Sequence, residues 1–457
     1  MDAVNELSRN EWDIPGGAAT ASASAAWWPI SGGGLVGGYL ALLLFMLIYC
    51  ARPEDWIPGL SNAPLAKVAG TLAFLALLFS LRHIRRVPRE IVYLALLIGQ
   101  LFLASVLSPV WRGGAVQATL DFSKVFLAVA VVAVAVNSLR RLRLLIFTQA
   151  GSIAVIAAVT LWKGRSLLGR LNGVLGGPYG DPNDLALILV ITLPLCLALL
   201  LLARGLFGKL VWATAIAGMA YTILLTGSRG GFLVLIVTSA MCIWSFAIRG
   251  RRPYLVALVA ALAVIVSVSS ASMIIGRLKG TFDASQDVAA AYASGQARQQ
   301  LFWRSVEVTK ENPLFGVGPG NFVQLSGDWH VAHNSYTQMS SEGGIPALAL
   351  YLLILGSGFK NLRAAKRFAI RQRETLLLAK ALHASLLGFV VGSFFLTQNY
   401  SYFPYFLIAY TTALFTISEK SDGARRAVEA ARQTIATRPP RTAEQEFEMP
   451  SFSPQTQ

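Results

Sequence analysis

The sequence predicts an all-α, polytopic integral membrane protein of about twelve transmembrane helices, with one long periplasmic loop containing short helices. Three observations carry that expectation. Charged residues make up 14% of the 457-residue chain and hydrophobic ones 55%, whereas soluble domains carry about 25% charged residues. The mean hydropathy is +0.57. Apolar runs long enough to cross a hydrocarbon layer as helices recur from end to end, and the 10 Trp and 24 Phe suit interfacial belts and lipid-facing surfaces.

In chain order, the runs predict spans at 33–50, 63–81, 90–108, 122–137, 144–162, 184–203, 210–226, 230–248, 253–272, 344–359, 375–396 and 402–418. Residues 1–32 are rich in Gly, Ala and Ser and read as a flexible cytoplasmic N-terminus. They carry Asp2, Glu6, Glu11 and Asp13 against Arg9 alone, which is not the basic start of a cleaved signal peptide. Past Ser418 the apolar periodicity ends, so 419–457 reads as a cytoplasmic tail: a short amphipathic helix, then disorder.

The formal charge of +16 does not call for nucleic acid, because most basic residues fall in short connections between apolar runs. Of those in connections and tail, 24 Lys and Arg lie in one alternate set and 11 in the other. The richer set, including 249–252 and 360–373, is cytoplasmic by the positive-inside rule. Loop 273–343 is then periplasmic, and an even number of spans puts both termini in the cytoplasm. Cys50, Cys196 and Cys242 lie in or beside apolar runs and read as small hydrophobes. Many transporters also have twelve spans. Two six-helix halves would, however, leave internal symmetry and a long cytoplasmic link after the sixth span, and neither is visible.

Chemistry is confined to a few polar segments. Trp329-His330-Val331-Ala332-His333-Asn334 through Gly344 holds two of the four histidines at the point where a loop re-enters the membrane. The spacing of His330 and His333 permits shared metal ligation, but no Cys and only scattered carboxylates accompany them. Arg298 through Glu307 has apolar residues at helical spacing and reads as an amphipathic helix lying on the membrane. Asn312-Pro313-Leu314-Phe315-Gly316-Val317-Gly318-Pro319-Gly320-Asn321-Phe322 follows it. That stretch is either a plain Gly/Pro turn or a phosphate cradle made of backbone N–H groups. In Thr226-Gly227-Ser228-Arg229-Gly230-Gly231, Arg229 either snorkels to head groups or meets a phosphate with its bidentate fork. Asp181-Pro182-Asn183 is either a turn and helix cap, or Asp181 and Asp184 are two carboxylates at the membrane surface that orient a sugar or counter an arginine.

Taken together and in this order, these motifs resemble the O-antigen ligase and polymerase family of bacterial envelopes, over roughly residues 160–360. His333-Asn334 with Gly344 is similar to its signature, with Ala347 where a second glycine is usual. Tyr49 through Leu60 is similar to a subgroup of exopolysaccharide and O-glycosylation ligases. The resemblance implies that 33–418 is a GT-C type, metal-independent, inverting glycosyltransferase without a cofactor, in the bacterial inner membrane, its active site facing the periplasm. Its donor would be a glycan on undecaprenyl diphosphate. Its acceptor would be another glycan, lipid A–core or a protein hydroxyl, with membrane lipids as surroundings and no nucleic-acid partner. His333 would be the catalytic base, with Arg229, Arg298, Arg304, Asn334, Glu342, Asp181 and Asn183 binding substrate.

Overall fold

The computed structural model describes residues 33–60, 64–80, 87–167, 170–173, 179–254, 256–257, 287–327, 329–368 and 372–436. The expectations for 1–32, for most of the span 253–272 and for the end of the tail lie outside them. The described residues are overwhelmingly helical. In chain order the helices are α1 (Gly33–Ala51), α2 (Pro53–Trp56), α3 (Leu65–Ser80), α4 (Arg89–Val106), α5 (Arg112–Ala135), α6 (Leu139–Lys163), α7 (Pro182–Leu202), α8 (Leu206–Leu225) and α9 (Arg229–Cys242). A π-helical turn, Ile243–Ile248, continues α9. Then come α10 (Asp287–Glu311), α11 (Phe322–Leu325), α12 (Ser335–Phe368), α13 (Arg373–Gly392) and α14 (Tyr402–Ala436).

Eight described helical stretches are long and apolar enough to cross a membrane: α4, α5, α6, α7, α8, α9 with its π turn, α12 and α13. Three more expected spans coincide with the helices α1, α3 and α14. A multi-pass membrane protein follows from the eight alone. Several boundaries differ from the sequence reading, among them the span expected at 344–359, which lies within a helix from Ser335 to Phe368. Helix α5 begins at Arg112, not near 122, because Trp111 starts a turn that the following small residues continue. The amphipathic segment at 298–307 is the middle of a 25-residue helix.

The all-α expectation also misses a small antiparallel hairpin after α6, Arg165–Leu167 paired with Arg170–Asn172, in which Arg165 faces Asn172. Glycines let it lie close against its surroundings. A Cβ at Gly164 would meet the Thr160 carbonyl oxygen at 2.2 Å, and one at Gly173 the Tyr179 carbonyl oxygen at 1.8 Å.

Helix α7 forms the centre. It packs on α6, α8, α9 and α13, and every residue from Leu185 to Thr192 is buried. A helix apolar all round is one that others surround. Helix α8 buries only Trp212, Met219, Thr222 and Ile223 and turns its remaining face outward. Around one end of the bundle, Tyr49 stacks on Tyr402 with ring centroids 4.8 Å apart. The Tyr179 hydroxyl donates to the Cys50 carbonyl at 2.6 Å. At the other end, Arg89 donates to Asn361 Oδ1 at 2.6 Å, and Asn361 Nδ2 donates to the buried Glu90 at 3.0 Å.

Candidate functional site

The site is built around a break in α12. Gly344 leaves helical geometry with φ 79° and ψ 175°, and Pro346 follows it. Proline has no N–H to return to the Glu342 carbonyl, and Ile345 N donates to Pro313 O (2.8 Å) and not back along the helix. Two carbonyls of α12 are therefore freed. Ser341 O accepts from Val317 N at 2.9 Å and Glu342 O from Gly318 N at 2.8 Å. The Asn312–Phe322 turn thus docks as an added strand of hydrogen bonds on a broken helix. Gly316, Gly318 and Gly320 all have positive φ, and a Cβ on Gly316 would lie 2.4 Å from the Glu342 carbonyl carbon. Of the two readings of this turn, the structure supports the structural one. Gly316 N also donates within the turn, to Asn312 O at 2.9 Å, so these N–H groups already serve protein acceptors.

The same helix end holds the histidine loop. Asn334 Oδ1 accepts from Tyr336 N (2.9 Å) and Thr337 N (3.1 Å), making it the cap of α12. Gln338 Oε1 accepts from Ala332 N at 2.7 Å, and Gln338 Nε2 donates to Glu342 Oε1 at 2.6 Å. Glu342 Oε1 also accepts from Phe322 N at 3.4 Å. Glu342 is completely buried and Asn334 nearly so. The substrate-binding expectation for these two meets a structural finding: Asn334 caps α12 directly after His333, and Glu342 holds the Gln338 side chain and Phe322 N. His333 itself has φ +50°, an uncommon left-handed backbone for a non-glycine residue, and is half-buried.

Two other turns reach the same end. Asp181 Oδ1 accepts from Asn183 N (2.7 Å) and Asp184 N (3.2 Å), capping α7. Asn183 Oδ1 accepts from Ser228 Oγ at 2.8 Å and from Arg170 Nη2 at 2.9 Å. Arg170 Nε donates to Thr226 O at 3.0 Å. Arg170, on the hairpin, thereby joins the Asp181 turn to the Arg229 turn. The sequence reading counts it only among the outer basic residues.

A second missed contributor is the connection 393–401 between α13 and α14. Ser335 N donates to Ser393 O (2.8 Å), Ser335 Oγ to Leu396 O (2.6 Å), and Gln398 N to Ser335 Oγ (2.9 Å). A Cβ on Gly230 would meet Phe395 at 3.1 Å, so the Arg229 turn rests on the same segment. Only its Gln and Asn side chains hinted at this in the sequence.

Charge is distributed unevenly over these pieces. His333 has Arg298, Asp181 and His330 as charged neighbours; burial first, then the positive charge of Arg298, holds its imidazole below the ordinary 6.5, with Asp181 opposing. Arg229 opens α9, is exposed, and has no hydrogen bond or ion pair among the described residues. It lines an open groove of about 400 Å³ with Ile223, Leu224, Ser228, Phe232 and Leu233. Arg304 belongs elsewhere. It donates to Leu325 O (3.1 Å) and Glu307 (2.7 Å) and lines a separate polar groove with Trp303 and Lys310. The structure brings His333, Asp181 and Arg298 together and links Asn183 to the Arg229 turn, while Arg304 braces α10. Among the described residues, no group of three or more His, Cys, Asp and Glu is arranged to hold a metal ion.

The fold and this polar end define a multi-pass membrane protein whose motifs converge at one end of the bundle. Residues 213–352 match the family described as O-antigen ligase, so the resemblance read from the motifs holds over that stretch. Among solved structures, the chain is similar to one described as "Structural coordination of polymerization and crosslinking by a peptidoglycan synthase complex". The identity is 18% over 73% of this chain and 97% of that one, with a TM-score of 0.39, which does not establish a common fold. No curated protein matches the sequence.

Proposed function

We propose that this protein transfers a glycan from undecaprenyl diphosphate to an acceptor hydroxyl at the periplasmic face of the bacterial inner membrane. The observation that carries the reading is the meeting of a half-buried, neutral-biased His333 with Asp181 and Arg298 at the membrane end where the Arg229 groove opens. The acceptor oxygen attacks the anomeric carbon, His333 takes the acceptor proton, and the carbon–oxygen bond to the diphosphate breaks with inversion. Arg229 receives the developing charge on the diphosphate, and Arg298 adds positive potential beside His333. The apolar walls of the groove, Ile223, Leu224, Phe232 and Leu233, suit a polyprenyl tail, which keeps the donor on the membrane and makes attack nearly unimolecular. With a lipid-linked glycan as acceptor, the same chemistry gives a polymerase.

The decisive experiment is glycan transfer by purified protein in EDTA. His333→Ala should lose 10²–10⁴-fold, roughly 3–5 kcal/mol of transition-state stabilisation, while His330→Ala keeps most activity. Wild type that dies in EDTA and revives with Zn²⁺ would replace the general base by a metal site. Sidedness is checked at Gln299, exposed on α10. A cysteine there should react with an impermeant thiol reagent in cells whose outer membrane alone is permeabilised. Labelling that requires inner-membrane lysis would reverse the orientation.

A further inference from the structure

At the opposite end of the bundle, five cations from three elements gather with no acid beside them among the described residues. From Gly344, α12 runs on to Lys366, roughly 33 Å at about 1.5 Å per residue step, which is about the thickness of a hydrocarbon core. Arg363 and Lys366 lie in its last turns, Lys380 lies in α13, and Arg249 and Arg252 follow the π turn after α9. The charged neighbours of Lys366 are Lys380, Arg249 and Arg363; those of Lys380 are Arg252 and Arg249; no carboxylate is among either set. Two acids at this end are engaged elsewhere. Glu90 holds Arg89 and Asn361, and Glu374 accepts from Arg143 at 2.9 Å.

The cytoplasmic excess of Lys and Arg accounts for solvated charges that point apart. It does not account for these. Arg252, Lys366 and Lys380 are half-buried, and Nη1 of Arg252 is buried with no acceptor among the described residues. His383, whose Nδ1 is likewise buried and unpartnered, has Lys366 and Arg363 as its charged neighbours. Like charges drawn together in partial burial repel unless an anion sits among them. The edge of the cluster is apolar and membrane-facing. The Arg249 guanidinium lies 5.2 Å from the Trp244 ring centroid, and Trp244 and Ile248, one turn apart, are 48% and 57% exposed.

We propose that this cluster binds the phosphate of an anionic phospholipid, with Arg252, Lys366 and Lys380 on the head group and the acyl chains along Trp244 and Ile248. The ligand is a lipid and not free phosphate because the apolar rim continues from the cations directly into the lipid-facing surface. Thermal unfolding and native mass spectrometry of the full-length protein in detergent test it, with cardiolipin, phosphatidylcholine and inorganic phosphate as separate titrants. Cardiolipin should raise the unfolding temperature and remain bound, and the other two should do neither. Each neutralised cation should weaken cardiolipin about fivefold, so K366Q/K380Q should lose about 25-fold. R140Q/K209Q, which removes two exposed charges from the same membrane end, should lose little. If the double variant folds poorly, R252Q alone should still show the fivefold loss. Equal weakening by both double variants, equal stabilisation by inorganic phosphate, or no preference for cardiolipin over phosphatidylcholine would overturn the proposal.

Discussion

Two turns at the same end of the bundle, Thr226–Gly231 and Asn312–Phe322, each carry three glycines and have different physical roles. In the second, the glycines admit positive φ and close backbone approach, and N–H groups of Gly316, Val317 and Gly318 are committed to protein carbonyls. In the first, the glycines bring α9 against α7 and the 393–401 segment: a Cβ on Gly231 would stand 2.6 Å from that of Ala186. The adjacent arginine has no partner among the described residues. The lesson is that glycine content marks close approach, and what approaches decides the chemistry. One turn is a brace and the other presents a cation.

The largest effect should come from filling the brace. Gly316→Ala adds a methyl 2.4 Å from the Glu342 carbonyl carbon at a positive φ, a strain on the order of 3 kcal/mol. Folded protein recovered in detergent and its unfolding temperature should both fall, with activity lost in proportion. A variant of wild-type stability that is inactive would instead make this turn a ligand cradle and erase the contrast.

Arg229→Lys keeps the charge and loses the fork, and Arg229→Ala loses both. Transfer should fall with the first and by about 10²–10³-fold with the second, with the unfolding temperature unchanged in both. Arg304→Gln is the counterpart. It gives up the bond to Leu325 O, about 1 kcal/mol of stability, and activity should stay within a few-fold. Full activity in both Arg229 variants would remove that side from the comparison.

The smallest effect is a displacement of the acid limb of the pH–rate profile. A base held below 6.5 stays neutral at neutral pH, and activity is lost as pH falls through its folded-state value. Arg298→Gln removes a positive neighbour, so protonation becomes easier and the limb moves to higher pH. Asp181→Asn removes a negative neighbour and moves it lower. Shifts of the same sign in both variants would detach this limb from His333.

The membrane class, most spans and the identity of the polar segments were legible from sequence, because lipid leaves helices few alternatives and hydropathy reports them directly. The pairing of His333 with Asn334 and Gly344 was legible as a motif. What remained hidden was the partner of each polar group. Helices α7 and α8 are both apolar runs, yet only packing made one the centre and the other a lipid-facing flank. Arg304 and Arg229 both lie in polar segments between expected spans, yet one meets Leu325 O while the other meets no described partner. Glu342 lies inside the motif but is buried against Gln338 and Phe322 N. Arg170 and the 393–401 segment assemble the site without a signature of their own. Hydropathy is a property of consecutive residues and can be read along the chain. Hydrogen-bond partnership and charge proximity join residues tens to hundreds of positions apart, so only the tertiary structure decides them.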